Sequence, residues 1–331
     1  MTLGSKWKRM AMRSLIIAAA AAIVTGFAGP AMAEYPEKPV RLIVPFTAGG
    51  VSDQVARYFA DRASQILGQP FVVENRAGAG GAIGAELVAK APPDGYTLLE
   101  ATAGVVAILP HVQKDLPYKP LEDFVAIGSF YAGNIYIGIN KDLPVKNLQE
   151  FVAYAKARPG KLNFASAGVG SIGHILAEML MSETGVQMAH IPYKGSAQAM
   201  TDMLAGRVQL MIDPIVLQQA EGGKVRLLAN ANTQRWGGQP DIPSMSEVYP
   251  NYRWASGLGI VGPAKMPKDI VEKLNATVKK IFDTDEGRAY LVTVAGVPQP
   301  ISPEQYGQEI RDWYKRVGDI AARVDIKSGA N

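Results

Sequence analysis

The stretch Asn163-Phe-Ala-Ser-Ala-Gly-Val-Gly-Ser-Ile-Gly-His174 combines small residues, hydroxyl groups and an imidazole at spacings that suit anion binding. The residues before it are typical of a buried strand, and the apolar residues after Ser171 recur at helical spacing. Gly168 and Gly170 lack a Cβ atom, so a ligand can approach the backbone N–H groups closely. The start of the following helix adds free N–H groups and a partial positive charge. The pattern therefore predicts a carboxylate or phosphate site, although a strand–helix turn that merely needs glycine is an equally ordinary interpretation.

Two sharper motifs were tested on this stretch, and both fail. The glycines formally fit the dinucleotide fingerprint, which needs an acidic residue about 20 residues later. The next predicted strand, 187–193, is followed by Lys194, so a nicotinamide dinucleotide is not expected. A nucleophile elbow needs glycine two residues before its serine, and Val169 stands there before Ser171.

The amino terminus has the three parts of a secretory signal peptide. A basic start (Lys6, Lys8, Arg9 and Arg13) precedes the apolar run 15–27, and the small residues Ala31-Met-Ala33 follow. The apolar run is too short to span a bilayer comfortably. We therefore expect export, with cleavage after Ala33 and a mature chain that begins at Glu34.

Composition excludes several other classes. The leader contains four of the 34 basic residues and none of the 30 acidic ones, so the mature chain is formally neutral and shows no basic signature for nucleic acid. The sequence has no cysteine, and its three histidines are far apart. Hence we predict no disulfide, no metal site and no cofactor. After the leader, no segment is long and apolar enough to cross a membrane.

Strands alternate with helices along the mature chain, which predicts an α/β protein with mostly parallel sheets. The buried strand 40–44 leads through another glycine loop, 45–53, into a helix. In chain order, 45–53 is the first glycine loop and 166–171 the second. Ligands then collect at the carboxyl ends of the strands, where the glycine loops lie. Extended stretches near Ile135 and Trp254 predict two crossings between lobes, with residues 34–133 and 254–331 in one lobe and 134–253 in the other.

Five motifs in order resemble those of the Bug family, the periplasmic solute receptors of tripartite tricarboxylate transporters. They are Ile43-Val-Pro-Phe-x-Ala-Gly-Gly-x-x-Asp53, Glu74-Asn-Arg-x-Gly-Ala-Gly-Gly81, Pro93-Asp-Gly-Tyr-Thr-Leu98, Ala165-Ser-x-Gly-x-Gly-Ser-x-x-His174 and Ile191-Pro-Tyr-Lys-Gly195. The resemblance covers nearly the whole mature chain. It implies a type II periplasmic-binding-protein fold, in which two α/β lobes close on a small carboxylate. It also implies a periplasmic location, membrane permease subunits as partners and, we expect, a monomer.

In that family, loops matching 46–53 and 166–171 hold a carboxylate through backbone N–H groups, a hydroxyl and bridging waters. We expect the two loops to face each other and Tyr193 and Lys194 to line the cleft. Thr102 and Asp213 are candidates for its far end, where Asp213-Pro214 departs from the Asp-Asn pair of many relatives. Asp53 and His174 each have a purely structural alternative, as a helix cap and as a hydrogen-bonding group. The candidate ligand-binding residues are Phe46, Thr47, Gly49, Gly50, Asp53, Thr102, Ser166, Gly168, Gly170, Ser171, His174, Tyr193, Lys194 and Asp213.

Two other functions remain open at this point. A secreted hydrolase could use Ser166 or Ser171 as nucleophile with His174 as base. No acidic residue is placed to orient that histidine, so no catalytic residue is predicted. A ligand-sensing partner of a signalling receptor would have the same fold and site as a transport receptor.

Overall fold

A computed structural model describes residues 35–252, 254 and 256–321. The predicted signal peptide, its predicted cleavage site and the end of the last predicted helix, 303–324, lie outside the described residues. The strands are β1 (Val40–Val44), β2 (Phe71–Asn75), β3 (Thr97–Thr102), β4 (Phe124–Gly133), β5 (Tyr136–Asn140), β6 (Leu162–Ser166), β7 (Met188–Pro192), β8 (Leu210–Asp213), β9 (Val225–Asn230), β10 (Ser256–Pro263) and β11 (Gly296–Pro298).

Helices alternate with these strands, as the hydrophobic periodicity predicts. A 3₁₀ turn spans Ala79–Gly81 and a π-helical segment spans Gly104–Ile108. The α-helices are α1 (Val51–Leu67), α2 (Ala82–Ala89), α3 (Leu109–Val112), α4 (Pro120–Asp123), α5 (Leu148–Lys156), α6 (Ile172–Thr184), α7 (Ser196–Leu204), α8 (Ile215–Glu221), α9 (Met245–Val248), α10 (Lys268–Phe282), α11 (Asp285–Thr293) and α12 (Pro303–Ala321).

The strands form two sheets with matching orders. The first sheet runs β2-β1-β3-β10-β4-β11 and the second runs β7-β6-β8-β5-β9. In each, three parallel strands are followed by an antiparallel strand, β10 or β5. Both sheets are therefore mixed, although most strands in each point the same way. Strands β5 and β10 begin just after the chain crosses from the other sheet, and each is antiparallel to both of its neighbours.

Burial explains why the central strands read as continuous apolar runs. In β1, Val40, Leu42, Ile43 and Val44 are all fully buried, because helices cover both faces of the sheet. Helix α1 buries Val55, Phe59 and Ala63 along one side and ends at Gly68, whose φ of 72° is easily adopted by glycine. From Lys38 onward the described residues form one compact unit in which both sheets take part.

Buried asparagines join the two crossing segments. The Asn230 side chain donates to Asn134 Oδ1 at 2.9 Å, and the Asn232 side chain donates to the Gly133 carbonyl at 2.8 Å. Asn232 also forms a β-bridge with Trp254 on the returning segment. These bonds satisfy polar groups that would be costly to bury unpaired, and they hold the crossings side by side.

Among the described residues, no helix combines the length and the apolar character that crossing a bilayer requires.

Candidate ligand-binding site

A cavity lies between the carboxyl ends of the two sheets, with about 80 Å³ open to the centres of water molecules. That space holds several waters or a small ligand. It is lined by Phe46, Gly50, Val51, Ser52, Thr102, Tyr131, Gly133, Ile135, Ala167, Ser171, Ile172, Gly173, Ser196, Asp213, Pro214, Gly257 and Leu258. Five of the predicted site residues are in this lining: Phe46, Gly50, Thr102, Ser171 and Asp213.

Strand register explains part of the wall. Leu258 on β10 lies opposite Thr102 on β3 and opposite Tyr131 on β4. The three side chains therefore form one row across the sheet and reach the cavity together. Tyr131 and Leu258 were not predicted, because their alignment depends on pairing between strands more than a hundred residues apart in sequence.

Three helices begin at the cavity. Helix α1 follows N-cap Gly50, α6 follows N-cap Ser171 and α7 follows N-cap Gly195, and none of the three caps makes a side-chain hydrogen bond to its helix. The first-turn N–H groups of a helix have no partner within the helix, and they carry partial positive charge. Three such ends around one small cavity would favour an anion there even without a cationic side chain.

Ser171 supplies a free hydroxyl at this site. Its side chain lines the cavity and is 2% exposed, and its Oγ atom has no hydrogen-bond partner among the described residues. An N-cap serine normally uses this oxygen to accept from its own helix. An unsatisfied buried hydroxyl costs free energy, and a ligand that accepts its proton removes that cost.

Three of the four glycine N–H groups in the two loops are already used within the protein. Gly49 N donates to Asp53 Oδ2 at 2.9 Å, Gly168 N to Ser166 Oγ at 3.1 Å and Gly170 N to His174 Nδ1 at 3.2 Å. These contacts shape the loops. First-turn residues of three helices also line the cavity, namely Val51 and Ser52 of α1, Ile172 and Gly173 of α6 and Ser196 of α7.

Asp53 organises the first loop. It is 4% exposed, and it accepts hydrogen bonds from Gly49 N, Arg57 Nε and Asn75 Nδ2. Burial raises the pKa of this carboxyl, but the hydrogen bonds from Arg57, Gly49 and Asn75 outweigh burial and hold the pKa below its usual value. Helix α1 begins at Val51, so Asp53 lies in the first turn and is not the N-cap. Its bonds favour the structural interpretation.

Two histidines, buried His174 and half-buried His190, stack beside the second loop. The His174 and His190 rings lie 4.2 Å apart, and Phe164 lies 4.7 Å from His190. Burial lowers the pKa of His174 to about 4; burial and the neighbouring His174 lower that of His190 to about 3. Both rings are therefore neutral at pH 7. The 3.6 Å approach of His174 to Glu178 is accordingly not an ion pair.

No serine–histidine pair of the described residues opens into the cavity. Ser166 Oγ lies 2.7 Å from His190 Nε2, a pairing that the sequence did not reveal, but Ser166 is 1% exposed and is absent from the lining. Ser171 makes no hydrogen bond to His174, whose Nδ1 accepts from Gly170. This geometry does not support the hydrolase alternative.

Tyr193 and Lys194 lie outside the cavity. They line a neighbouring groove together with Gly168 and the turn 78–80. The Tyr193 hydroxyl donates to Asp202 at 2.6 Å, and the Lys194 side chain is exposed. The structure thus places the predicted cation at the rim. Thr47, Gly49, Asp53, Ser166, Gly170 and His174 surround the cavity lining without belonging to it.

Two buried carboxyl groups flank the cavity. Asp213 accepts from Ser196 Oγ at 2.5 Å and from Ile215 N at 2.9 Å, and burial raises its pKa to about 6. Glu100 is fully buried, and burial raises its pKa to about 8, with the nearby charge of Asp53 acting in the same direction. Ser52 is near enough to favour the charged form, more than the Asp53 charge opposes it, yet neither carboxyl oxygen has a partner in bonding geometry among the described residues.

Sequence reasoning missed Glu100. Its only signal was a lone acid in an apolar strand, two residues before Thr102 and hence on the same face.

The two sides of the cleft touch beside the cavity. A Cβ atom built on Gly170 would lie 2.4 Å from Leu109 Cδ2, and one built on Gly80 would lie 2.2 Å from the Val169 carbonyl oxygen. The Gln218 side chain donates to Gln54 Oε1 at 3.1 Å. These contacts describe a closed cleft, in which glycine is required where the backbones approach.

Two matching α/β lobes, two crossing segments and an enclosed cavity between the lobes define a solute-binding protein with the type II periplasmic-binding-protein fold. A family model described as the tripartite tricarboxylate transporter family receptor matches residues 55–326. The chain belongs to this family, the Bug family of receptors.

Individual relatives agree over almost their full length. Protein BugT of Bordetella pertussis is 34% identical over 308 residues, which cover 90% of this chain and 94% of BugT. Rpa4515 of R. palustris, solved with adipate, is 34% identical with a TM-score of 0.84, covering 87% of this chain and 98% of the other. MatC from Rhodopseudomonas palustris, solved with bound malate, is 30% identical with a TM-score of 0.82, covering 86% and 99%. The solved structures that this chain resembles are thus those of binding proteins, and Rpa4515 and MatC were solved with small carboxylates.

Proposed function

We propose that this chain is an extracytoplasmic solute-binding protein that captures a small carboxylate, an organic acid or a carboxylated aromatic, in the cleft between its lobes. It then delivers the ligand to the membrane permease subunits of a tripartite tricarboxylate-type transporter. The observation that carries the proposal is the free Ser171 hydroxyl among three uncapped helix N-termini. Delivery to a permease rests on membership of the receptor family.

The carboxylate lies, in this proposal, against the first turns of α1 and α6, with Ser171 Oγ as a donor. Charge-assisted hydrogen bonds are the strong ones, so two or three of them can hold an anion without a cation. Thr47, Gly49, Ser166, Gly168 and Gly170 act by shaping the loops. The lobes comprise 34–133 with 254–331, and 134–253, a division that the membership of strands in the two sheets supports.

We further propose that the ligand leaves chemically unchanged. The family relatives that support this are binding proteins, and no serine–histidine pair of the described residues opens into the cavity. Export to the periplasm, cleavage after Ala33 and a monomeric state complete the proposal. The basic, apolar and small-residue segments of the leader support export.

A thermal-shift screen of the mature chain tests the proposal. The probes are straight-chain and aromatic mono- and dicarboxylates, each matched with its primary amide. A ligand that binds only the folded protein raises the melting temperature with its concentration. We expect at least one acid to do so while its amide does not. Equal shifts with acid and amide, or no shift with any acid at millimolar concentration, would contradict carboxylate capture.

A further inference from the structure

The cavity has an acceptor side as well as a donor side. Ser196 Oγ donates its only proton to Asp213 Oδ2 at 2.5 Å, so the oxygen presents only lone pairs to the cavity. Ile215 N occupies Asp213 Oδ1 at 2.9 Å, and each carboxylate oxygen keeps a further lone pair. Both residues line the cavity. This pair can therefore receive protons from a ligand, and it disfavours a second negative charge.

The residues around the Ser196–Asp213 pair also disfavour a second negative charge on the ligand. No residue of the cavity lining in the described part of the chain carries a positive charge. Tyr131 lines the cavity and lies close enough to both Glu100 and Asp213 that, after burial, their charges raise its pKa further. A ligand with two carboxylates would place its second charge beside the Asp213 carboxylate without a counter-ion, which is costly in a buried site.

We infer that the ligand carries, besides its carboxylate, a hydrogen-bond donor that binds the Ser196–Asp213 pair, so that the site prefers amino or hydroxy monocarboxylic acids to dicarboxylates. This inference rests on the proposed function, since it assumes that the helix N-termini hold the carboxylate. It assigns Asp213 a specificity-determining role, whereas the solved relatives named above were found with the dicarboxylates adipate and malate.

A matched series of four-carbon acids tests the inference by titration calorimetry. The probes are butyrate, the three aminobutyrates, the three hydroxybutyrates and succinate, with butyramide as the uncharged reference. We expect at least one substituted acid to bind about tenfold or more tighter than both butyrate and succinate, because hydrogen bonds to a charged group are strong. If succinate binds as tightly as the best substituted acid, the inference is overturned.

The variant Asp213→Asn isolates the charge. Its Oδ1 atom can still accept from Ile215 N, so the backbone turn is kept, while the amide faces Ser196. We expect the advantage of the substituted acid over butyrate to fall about tenfold, and succinate to gain relative to butyrate. The exposed Asp312→Asn is the matched control and should change neither ratio. An unchanged ratio in Asp213→Asn would also overturn the inference.

Different results would contradict the proposed carboxylate site and the proposed role of the Ser196–Asp213 pair. If butyramide binds as well as butyrate, or if no acid of this series or of the thermal-shift screen binds the folded wild type, the proposed carboxylate site is wrong, and the inference with it. If the acids bind and the amide does not, but neither amino nor hydroxyl groups improve affinity, only the role of the Ser196–Asp213 pair is wrong.

Discussion

Replacing Gly170 by alanine perturbs the point where the second glycine loop meets the opposite side of the cleft. Gly170 has a φ of 78°, and a Cβ atom there would lie 2.4 Å from Leu109 Cδ2 and 3.1 Å from Val112 Cγ2. Leu109 is 1% exposed and has little room to move. The left-handed conformation alone costs an L-residue roughly 1–2 kcal/mol. The steric overlap adds a penalty that applies only when the cleft is closed.

Gly160 provides a matched control. Its φ is 68°, close to that of Gly170, but nothing lies within 4 Å of a Cβ atom built on it. We expect both alanine variants to lose about 1–2 kcal/mol of unfolding free energy in the ligand-free protein, where opening of the cleft relieves the overlap. Only Gly170→Ala should weaken ligand binding, by about tenfold or more, because each 1.4 kcal/mol of closure penalty is tenfold in affinity.

Urea denaturation measures the first effect and titration calorimetry with an acid from the screen measures the second. Both variants place alanine at a positive φ, but only Gly170→Ala adds an overlap that opposes closure of the cleft. The comparison therefore separates backbone strain from the effect on closure. Equal affinities for Gly170→Ala and Gly160→Ala would refute the reasoning, since the contact with Leu109 would then play no part in closing the cleft.

Four further outcomes follow from the same structure. Ser171→Ala should leave unfolding stability nearly unchanged, since its Oγ is unpartnered, but weaken carboxylate binding by about 1.5–3 kcal/mol in calorimetry; an unchanged affinity would contradict this. Asp53→Asn should lower stability above about pH 4, and the gap to wild type should close as pH falls, because the low folded pKa of Asp53 favours folding only while the carboxylate is ionised. Burial raises the pKa of Glu100 to about 8, so wild type should lose stability relative to Glu100→Gln as the pH rises from about 5 to about 8. Urea denaturation measures this difference, and the same pH dependence in both proteins would argue against a buried neutral acid. Mass spectrometry of the periplasmic fraction should give a chain that begins at Glu34, and an intact Met1 form would contradict export.

The glycine-rich loops and the helices after them were predictable because their signals are local. Small residues after an apolar strand, followed by apolar residues at helical spacing, describe each strand–loop–helix unit within about 20 residues. Gly170 illustrates this: its positive φ and its close approach to Leu109 are both conditions that exclude other residues.

The composition of the cavity wall was less predictable, because it depends on contacts between distant parts of the chain. Ser196 reaches Asp213 only after β8 and α7 have packed, and Tyr131 joins Thr102 only through the intervening β10. The antiparallel entry of β5 and β10 follows from the crossings between lobes, which leave no local mark on strand direction. Likewise, the glycine amides looked free in sequence, but Asp53 and His174 occupy two of them.

A crystal structure of the mature protein with the tightest-binding acid from the screen tests the central claim most directly. The account predicts that the ligand carboxylate lies within hydrogen-bond distance of Ser171 Oγ and of first-turn N–H groups of α1 and α6. It also predicts that no lysine or arginine side chain contacts that carboxylate. A carboxylate paired with a cationic side chain, or bound in the outer groove beside Tyr193 and Lys194, would contradict it.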